Sequence, residues 1–340
     1  MKAAVFTGAG SVVDGAAQVL RLETRDDPVP GPRDVVIRVA RCGICATDLH
    51  MTSGHGWDFP TGIILGHEYA GEIVAVGRDV AHLRVGEAIA GMPSGGCGLC
   101  QACRHGQARL CAAREAAMGG FAEYLLVPVS AAVRLPQSLS LPDGALVEPL
   151  AVGLHGVGMS AIRPGARVLV LGAGAVGLAT LFWARRLGAA RVVMASRSPT
   201  RAEMALAMGA DAFIETGEGE GERIAAALGG APDIVFECVG AVGLLTQAIE
   251  LVRHFGEVVS LGFCTAPDPV IPAVAATKQI RISFPLAYTR REFEHAADRM
   301  HAGKVDPAMM ITSVISLDVL PAVFEEMREP NRQTKVQVAP

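Results

Sequence analysis

The chain has 340 residues, of which 51% are hydrophobic, and a formal net charge of −4, so it is long enough for two domains, each with a sizeable core. The mildly acidic balance and the lack of a basic stripe exclude nucleic acid and anionic membrane surfaces as electrostatically recruited partners. No apolar run reaches the roughly 18 residues of a spanning helix, and the opening MKAAVFTGAGSVV is unlike a secretory signal, which leaves the cytoplasm as the expected compartment.

The first 150 or so residues read as β-rich. The runs VVIRVARCGI (35–44), YAGEIVAVG (69–77) and FAEYLLVP (121–128) are separated by Gly and Pro clusters. Two constellations in this part carry chemistry. CATDLH (45–50), GHE (66–68) and EPLAVGLH (148–155) supply Cys45, His67 and a carboxylate. These could give three protein ligands with a fourth position left for water or substrate, the arrangement of a catalytic zinc, although a lone His or Cys is usually packing. The second constellation is C-x2-C-x2-C-x7-C: Cys97, Cys100, Cys103 and Cys111, in a glycine-rich lobe over about 94–113. Four thiolates so closely spaced can enclose one tetrahedral zinc at about 2.3 Å, leaving no open position, which defines a structural site. Two disulfides or four free thiols are the alternative, disfavoured by this spacing in a chain of cytosolic character.

From about 166 the rhythm changes to strand–helix alternation. ARVLVLG, RVVMAS, DAFIE, DIVFECVG, GEVVSLG and QIRISF (279–284) read as strands between helical stretches such as AVGLATLFWARRLG and PTRAEMALAMG, with GEGEGE (217–222) as a solvated loop. That alternation implies a doubly wound parallel sheet. VLVLGAGAVG sets Gly172, Gly174 and Gly177 directly after a strand and at the start of a helix, with Val176 in the same turn. The glycines allow a tight turn, close approach of a pyrophosphate and tight helix–strand packing, and the helix N-terminus favours the phosphates. At the end of the second strand an NAD site needs an acidic residue for the adenosine ribose. Here stand Ser196 and Arg197, with Arg201 a turn later. A hydroxyl and two guanidiniums suit a 2′-phosphate, so NADP(H) is expected over NAD(H). Beyond about 290 come two helical stretches, REFEHAADRMHAG and DVLPAVFEEMRE, and a final strand near KVQV. The expected division is 1–152 for the first domain, 153–288 for the nucleotide domain and 289–340 for a return to the first.

CATDLH, GHEYAGEIVAVG, EPLAV and the four-cysteine lobe together resemble the zinc-dependent medium-chain alcohol and polyol dehydrogenases over nearly the whole chain. EPLAV resembles the branch that includes sorbitol, threonine and butanediol dehydrogenases. The resemblance implies an α/β fold in which a GroES-like, β-rich catalytic domain is joined to a Rossmann domain, the active site lying in the cleft between them. It also implies two zinc ions per chain, one catalytic and one structural. Cys45 and His67 are implied as ligands of the catalytic zinc, with Glu68 and Glu148 both open for the third place. Asp48 would orient the imidazole of His67, Thr47 would hold the substrate hydroxyl, and His50 would pass its proton to solvent. Leu261, Gly262 and Phe263 resemble the loop that faces the nicotinamide ring. Zinc would act as a Lewis acid on the alcohol, and a hydride would pass to the nicotinamide.

The expected activity is therefore hydride transfer between NADP(H) and a secondary alcohol, diol or polyol and its ketone, in a homo-oligomer, tetramer or dimer. A zinc-free quinone or enoyl reductase of the same fold would have no use for Cys45, His67 and the cysteine lobe. A non-catalytic NAD(P)-binding sensor is the rival from another class, and turnover with an alcohol separates the two. Cys42 is offset from the ligand position and reads as a buried thiol, as do Cys238 and Cys264 after their strands. Trp57 and Phe59 read equally as pocket lining or as core. No motif surrounds His55, His82, His105, His254, His295 or His301, and no chemistry is assigned to His155.

Overall fold

The computed structural model describes residues 1–13 and 15–340, and divides them into two units. The first comprises Met1–Glu148, Thr289–Asp298 and Ile311–Pro340; the second comprises Pro149–Tyr288 and Arg299–Met310.

The first unit is built on a seven-stranded sheet. Its order runs Ala132–Arg134, Ala88–Gly91, Glu68–Val76, Asp34–Gly43, Lys335–Ala339 and Ile311–Ser316, and Tyr124–Pro128 also pairs with Asp34–Gly43. Asp34–Gly43 is the hub, because its β-branched run VVIRV suits a pleated surface and its inner residues Val35, Ile37 and Val39 are buried. With Leu65, Tyr69, Ile73, Phe121 and Phe324 they form the core. The late strand Lys335–Ala339 pairs Gln337 with Gly43 and Val338 with Cys42, just before the CATDLH segment. A strand at Ile311–Ser316, absent from the expected elements, lies parallel to it.

The second unit is a six-stranded parallel sheet in the order Ala212–Glu215, Ala189–Ser196, Ala166–Leu171, Ile234–Glu237, Glu257–Ser260 and Arg281–Ser283. The central strands are buried along their length, as parallel strands covered on both faces must be. The order reverses between Ala166–Leu171 and Ile234–Glu237, the topological switch point where such sheets open a ligand crevice.

Three details differ from the expected organisation. Residues 289–340 do not return to the first unit as one block, because Arg299–Met310 belongs to the second. There the guanidinium of Arg186 donates to the carbonyl of Ala302, a tie between residues too distant in sequence to be foreseen. GEGEGE is only half a loop, since Glu220 opens the helix Glu220–Leu228, with Gly219 before it in a left-handed conformation. The strand expected over 279–284 is confined to Arg281–Ser283, because the helix Pro272–Lys278 ends on Gln279, whose φ is +50°.

Candidate active site

The CATDLH segment folds into a short helix, Ala46–His50, capped by its own cysteine. The Cys45 sulfur accepts the Thr47 N–H at 3.4 Å while Asp48 Oδ2 accepts the Cys45 N–H at 3.0 Å, so the two side chains fix each other across the helix start. Thr47 is half-buried and His50 exposed. His67 follows Gly66, whose φ of +91° is a conformation other residues rarely adopt. A Cβ on Gly66 would stand 2.7 Å from both Cys42 Sγ and Phe121. Cys42 thus serves as packing behind the GHE turn, a buried thiol whose pKa burial pushes well up. Asp48 Oδ1 lies 3.2 Å from His67 Nδ1. Burial alone would lower the imidazole pKa, but the charges of Asp48 and Cys45 outweigh it and raise it well above the ordinary value.

Donor atoms of Cys45, His67 and Glu68 all lie within 4.8 Å of one another. Glu148, the last residue of the first unit, is buried in the opening turn of the helix Val147–Gly158 and lies outside that cluster. Glu68 is 1% exposed, and its Oε1 accepts a 2.6 Å bond from the ammonium of Lys335, itself buried and also donating to the Ile44 carbonyl. Burial opposes the charge on Lys335, but Glu68, Cys45 and Glu148 overcome it and raise its pKa. The other oxygen, Glu68 Oε2, is buried with no hydrogen-bond partner. A buried carboxylate oxygen left orphaned is costly, and the carboxylate that carries it belongs to a cluster with a thiol and an imidazole. This donor set fits a zinc ion.

Sequence reasoning missed Lys335. Its only local signal is a lysine inside the alternating run KVQV. It also missed Gly43, where a Cβ would stand 2.0 Å from Glu68 Oε2. The missing side chain is what admits the carboxylate.

The four-cysteine lobe is framed by the strand pair Ser94–Gly95 and Glu115–Ala116 and contains the short helix Gln101–Arg104. Its four sulfurs lie within 4.8 Å of one another, and none of the eight cysteines is in a disulfide. The N–H groups of Leu99 and Cys100 hold the Cys97 thiol down to about 6, whereas burial pushes Cys103 up to about 12. The tight cluster without disulfide bonds fits a closed zinc site with four thiolate ligands.

In the second unit Gly172 ends the first strand with φ +99°, and a Cβ there would stand 2.5 Å from Val239 at the switch point. A Cβ on Gly177 would overlap the Gly172 carbonyl at 2.0 Å, whereas one on Gly174 would meet nothing within 4 Å. The turn therefore packs on one side and opens on the other, at the start of the helix Ala175–Arg186 that carries Val176. Ser196 closes the second strand half-buried, Arg197 is exposed, and Arg201 is half-buried, its pKa lowered by desolvation. Leu261 and Gly262 are half-buried after the strand Glu257–Ser260, and Phe263 is exposed. Phe59 packs against the first unit's core, whereas Trp57 is exposed. Cys238 is half-buried as a residue, but its thiol is enclosed and burial pushes its pKa up, whereas Cys264 is half-buried rather than buried. The six histidines without a motif are all exposed, while His155 is buried.

Comparison with known proteins agrees with this layout. Residues 31–137 match the alcohol dehydrogenase GroES-like domain, and residues 175–302 match the zinc-binding dehydrogenase family. The chain is 31% identical over 326 residues to D-xylulose reductase A of Aspergillus niger, covering 91% of each chain. It is 32% identical over 301 residues to sorbitol dehydrogenase of Arabidopsis thaliana, covering 84% of this chain and 82% of that one. Among solved structures, a zinc-binding dehydrogenase from Sinorhizobium meliloti 1021 bound to NADP superposes with a TM-score of 0.88 at 34% identity, covering 100% of this chain and 99% of the other. The 2R,3R-butanediol dehydrogenase of Bacillus subtilis superposes with a TM-score of 0.86 at 27% identity over the same shares. With its GroES-like and Rossmann domains, the chain belongs to the zinc-dependent medium-chain alcohol and polyol dehydrogenases and is an oxidoreductase of that family.

Proposed function

We propose that this enzyme interconverts a secondary alcohol, diol or polyol with its ketone, using NADP(H) in preference to NAD(H). The observation that carries the reading is the convergence of Cys45, His67 and Glu68 donor atoms within 4.8 Å, one Glu68 oxygen being buried and unpartnered. We assign the catalytic zinc to these three residues and a second, structural zinc to Cys97, Cys100, Cys103 and Cys111. Of the two carboxylates open from the sequence, Glu68 takes the ligand role, because its carboxylate belongs to the cluster and Glu148 lies outside it.

Zinc, when bound, supplies the Lewis acidity that brings an alcohol's hydroxyl proton within reach of neutral pH. The chain does the rest. Asp48 Oδ1, 3.2 Å from His67 Nδ1, would orient the ring so that its other nitrogen is the one available to the metal. Lys335 neutralises Glu68 through Oε1 and leaves Oε2 for coordination. Thr47 would hold the substrate hydroxyl, taking up its proton only as it releases its own toward the cofactor ribose, and His50, at the solvent-exposed end of the same short helix, would pass that proton to solvent. In the second unit the Gly172–Gly177 turn receives the pyrophosphate, with Gly174 leaving room for it. Ser196, Arg197 and Arg201 favour a 2′-phosphate over a bare ribose hydroxyl. The relative that binds NADP supports that choice, and the xylulose, sorbitol and butanediol enzymes support a polyol-type substrate. The reading places the enzyme in the cytoplasm as a homo-oligomer, dimer or tetramer.

The test is metal analysis of the purified protein together with a panel of secondary alcohols and sugar alcohols assayed with both oxidised nicotinamide cofactors. Two zinc ions per chain and alcohol-dependent NADP+ reduction are expected. Cys45→Ser should lose turnover and one zinc while keeping the fold, and full activity in that variant would overturn the assignment.

A further inference from the structure

We propose that Glu237 is a positioning residue that clasps the loops after the fourth and fifth strands of the nucleotide-binding sheet into the shape that receives the nicotinamide. The inference rests on the proposed function and on the resemblance by which Leu261–Phe263 would face that ring. It goes further by assigning a role to a residue that neither the glycine motif nor the zinc sites use.

Glu237 ends the strand Ile234–Glu237 beside the switch point and is 2% exposed. Its carboxylate binds both loops at once. Oε1 accepts the N–H groups of Val239 at 2.6 Å and Gly240 at 2.7 Å, and Oε2 accepts the Ser260 hydroxyl at 2.9 Å. The main chain of the same residue repeats the connection, its carbonyl accepting the N–H groups of Leu261 at 2.7 Å and Gly262 at 3.0 Å. The two loops also touch through their backbones. A Cβ on Gly262 would stand 2.1 Å from Gly240 N and 2.5 Å from Glu237 Oε2, and one on Gly240 would stand 2.5 Å from Phe263 N. No side chain fits between the loops, so the carboxylate sets their register.

The partners of this buried carboxylate are backbone amides and a hydroxyl. A buried charge held by neutral dipoles is a costly way to stabilise a fold, but hydrogen bonds to an ionised group are strong and directional. They fix loop geometry before the ligand arrives, which lowers the ordering cost of binding. A Cβ on Gly172 would stand 2.5 Å from Val239, so the loop held by the clasp borders the pyrophosphate turn.

The experiment compares dissociation constants of NADPH and of 2′-phospho-ADP-ribose, which lacks the nicotinamide, measured on the zinc-loaded enzyme by calorimetry. Glu237→Ala should weaken NADPH about tenfold, the loss of roughly one charged hydrogen bond's worth of preorganisation, and should leave the truncated nucleotide within about twofold. Glu237→Gln keeps an acceptor for Val239 and Gly240 and should recover most of the affinity. Ser260→Ala, a gentler change, should show the same selectivity at about threefold. Equal weakening of both nucleotides, or of neither, in variants with wild-type zinc content and melting temperature would overturn the clasp. If the wild-type enzyme itself gained nothing from the nicotinamide, it would be the assignment of Leu261–Phe263 that fails.

Discussion

Replacing Lys335 with Met probes the link between the fold of the first unit and its metal site. The Lys335 ammonium and the Glu68 carboxylate are 3% and 1% exposed and lie 2.6 Å apart. Removing one partner of such a pair leaves an uncompensated buried charge, at a cost of about 3–5 kcal/mol. For a unit of this size even 3 kcal/mol corresponds to a fall in Tm of about 6–12 °C. Zinc changes the sum. If Glu68 Oε2 coordinates the ion, the metal supplies the positive charge that Lys335 no longer does. The Tm loss should then shrink by half or more when the protein is loaded with zinc. The assay is a set of four melts, wild type and Lys335→Met, each chelator-treated and zinc-saturated. Stripping the cysteine lobe affects both proteins alike and cancels in the double difference. An equal Tm loss with and without zinc would refute the assignment of Glu68 as a ligand.

Cys103→Ser should remove one zinc per chain and lower Tm by several degrees while leaving the Cys45 site loaded; a retained second zinc would count against the structural site. Ser196→Asp with Arg197→Ala should shift the ratio of kcat/KM for NADP+ over NAD+ at least tenfold toward NAD+, and an unchanged ratio would defeat the 2′-phosphate argument. Asp233 links stability to acid. Against the opposing effect of burial, hydrogen bonds from Arg167 and Arg253 hold its carboxyl down to about 2. A depressed carboxyl stabilises the fold above the unfolded value of about 4, and that stability drains away as pH falls toward 2. Discounted for partial exposure, the contribution is about 1 kcal/mol. The stability difference between wild type and Asp233→Asn, followed by urea unfolding, should be full at pH 7 and close between pH 4 and 2. A difference that persists at the acid end would show that something other than ionisation carries it.

What could be read from the chain alone was what is local in it. The cysteines of the lobe lie within fifteen positions of one another, and the Gly172–Gly177 turn is a strand, a turn and a helix in unbroken succession. Spacing reports such features because the backbone itself brings the residues together. GHE was legible for the same reason, though not why Gly66 must precede His67. Lys335 and Glu68 are separated by 267 positions and meet only because the strand Lys335–Ala339 inserts beside Asp34–Gly43. Nothing near either residue announces the other. Glu237 looked like one more residue in a buried strand run, since its importance lies in hydrogen bonds that form once the sheet is wound. The proposed preference for Glu68 over Glu148 likewise rests on which carboxylate the fold brings to Cys45 and His67, a property of packing rather than of motif.

The strand Lys335–Ala339 sits inside the first unit's sheet, between Asp34–Gly43 and Ile311–Ser316, although most of that sheet is encoded before residue 149. At translation speeds of about 5–20 residues per second, the ribosome needs roughly 10–40 s to reach this strand after the early part has emerged. During that interval the nascent sheet stands open beside Cys42 and Gly43, and Glu68 has no ammonium to meet. The nucleotide-binding unit, by contrast, is fully synthesised by then. The half of the molecule that leaves the ribosome first is therefore the last to close, and a chaperone guarding this polypeptide would find its work at that unfinished sheet.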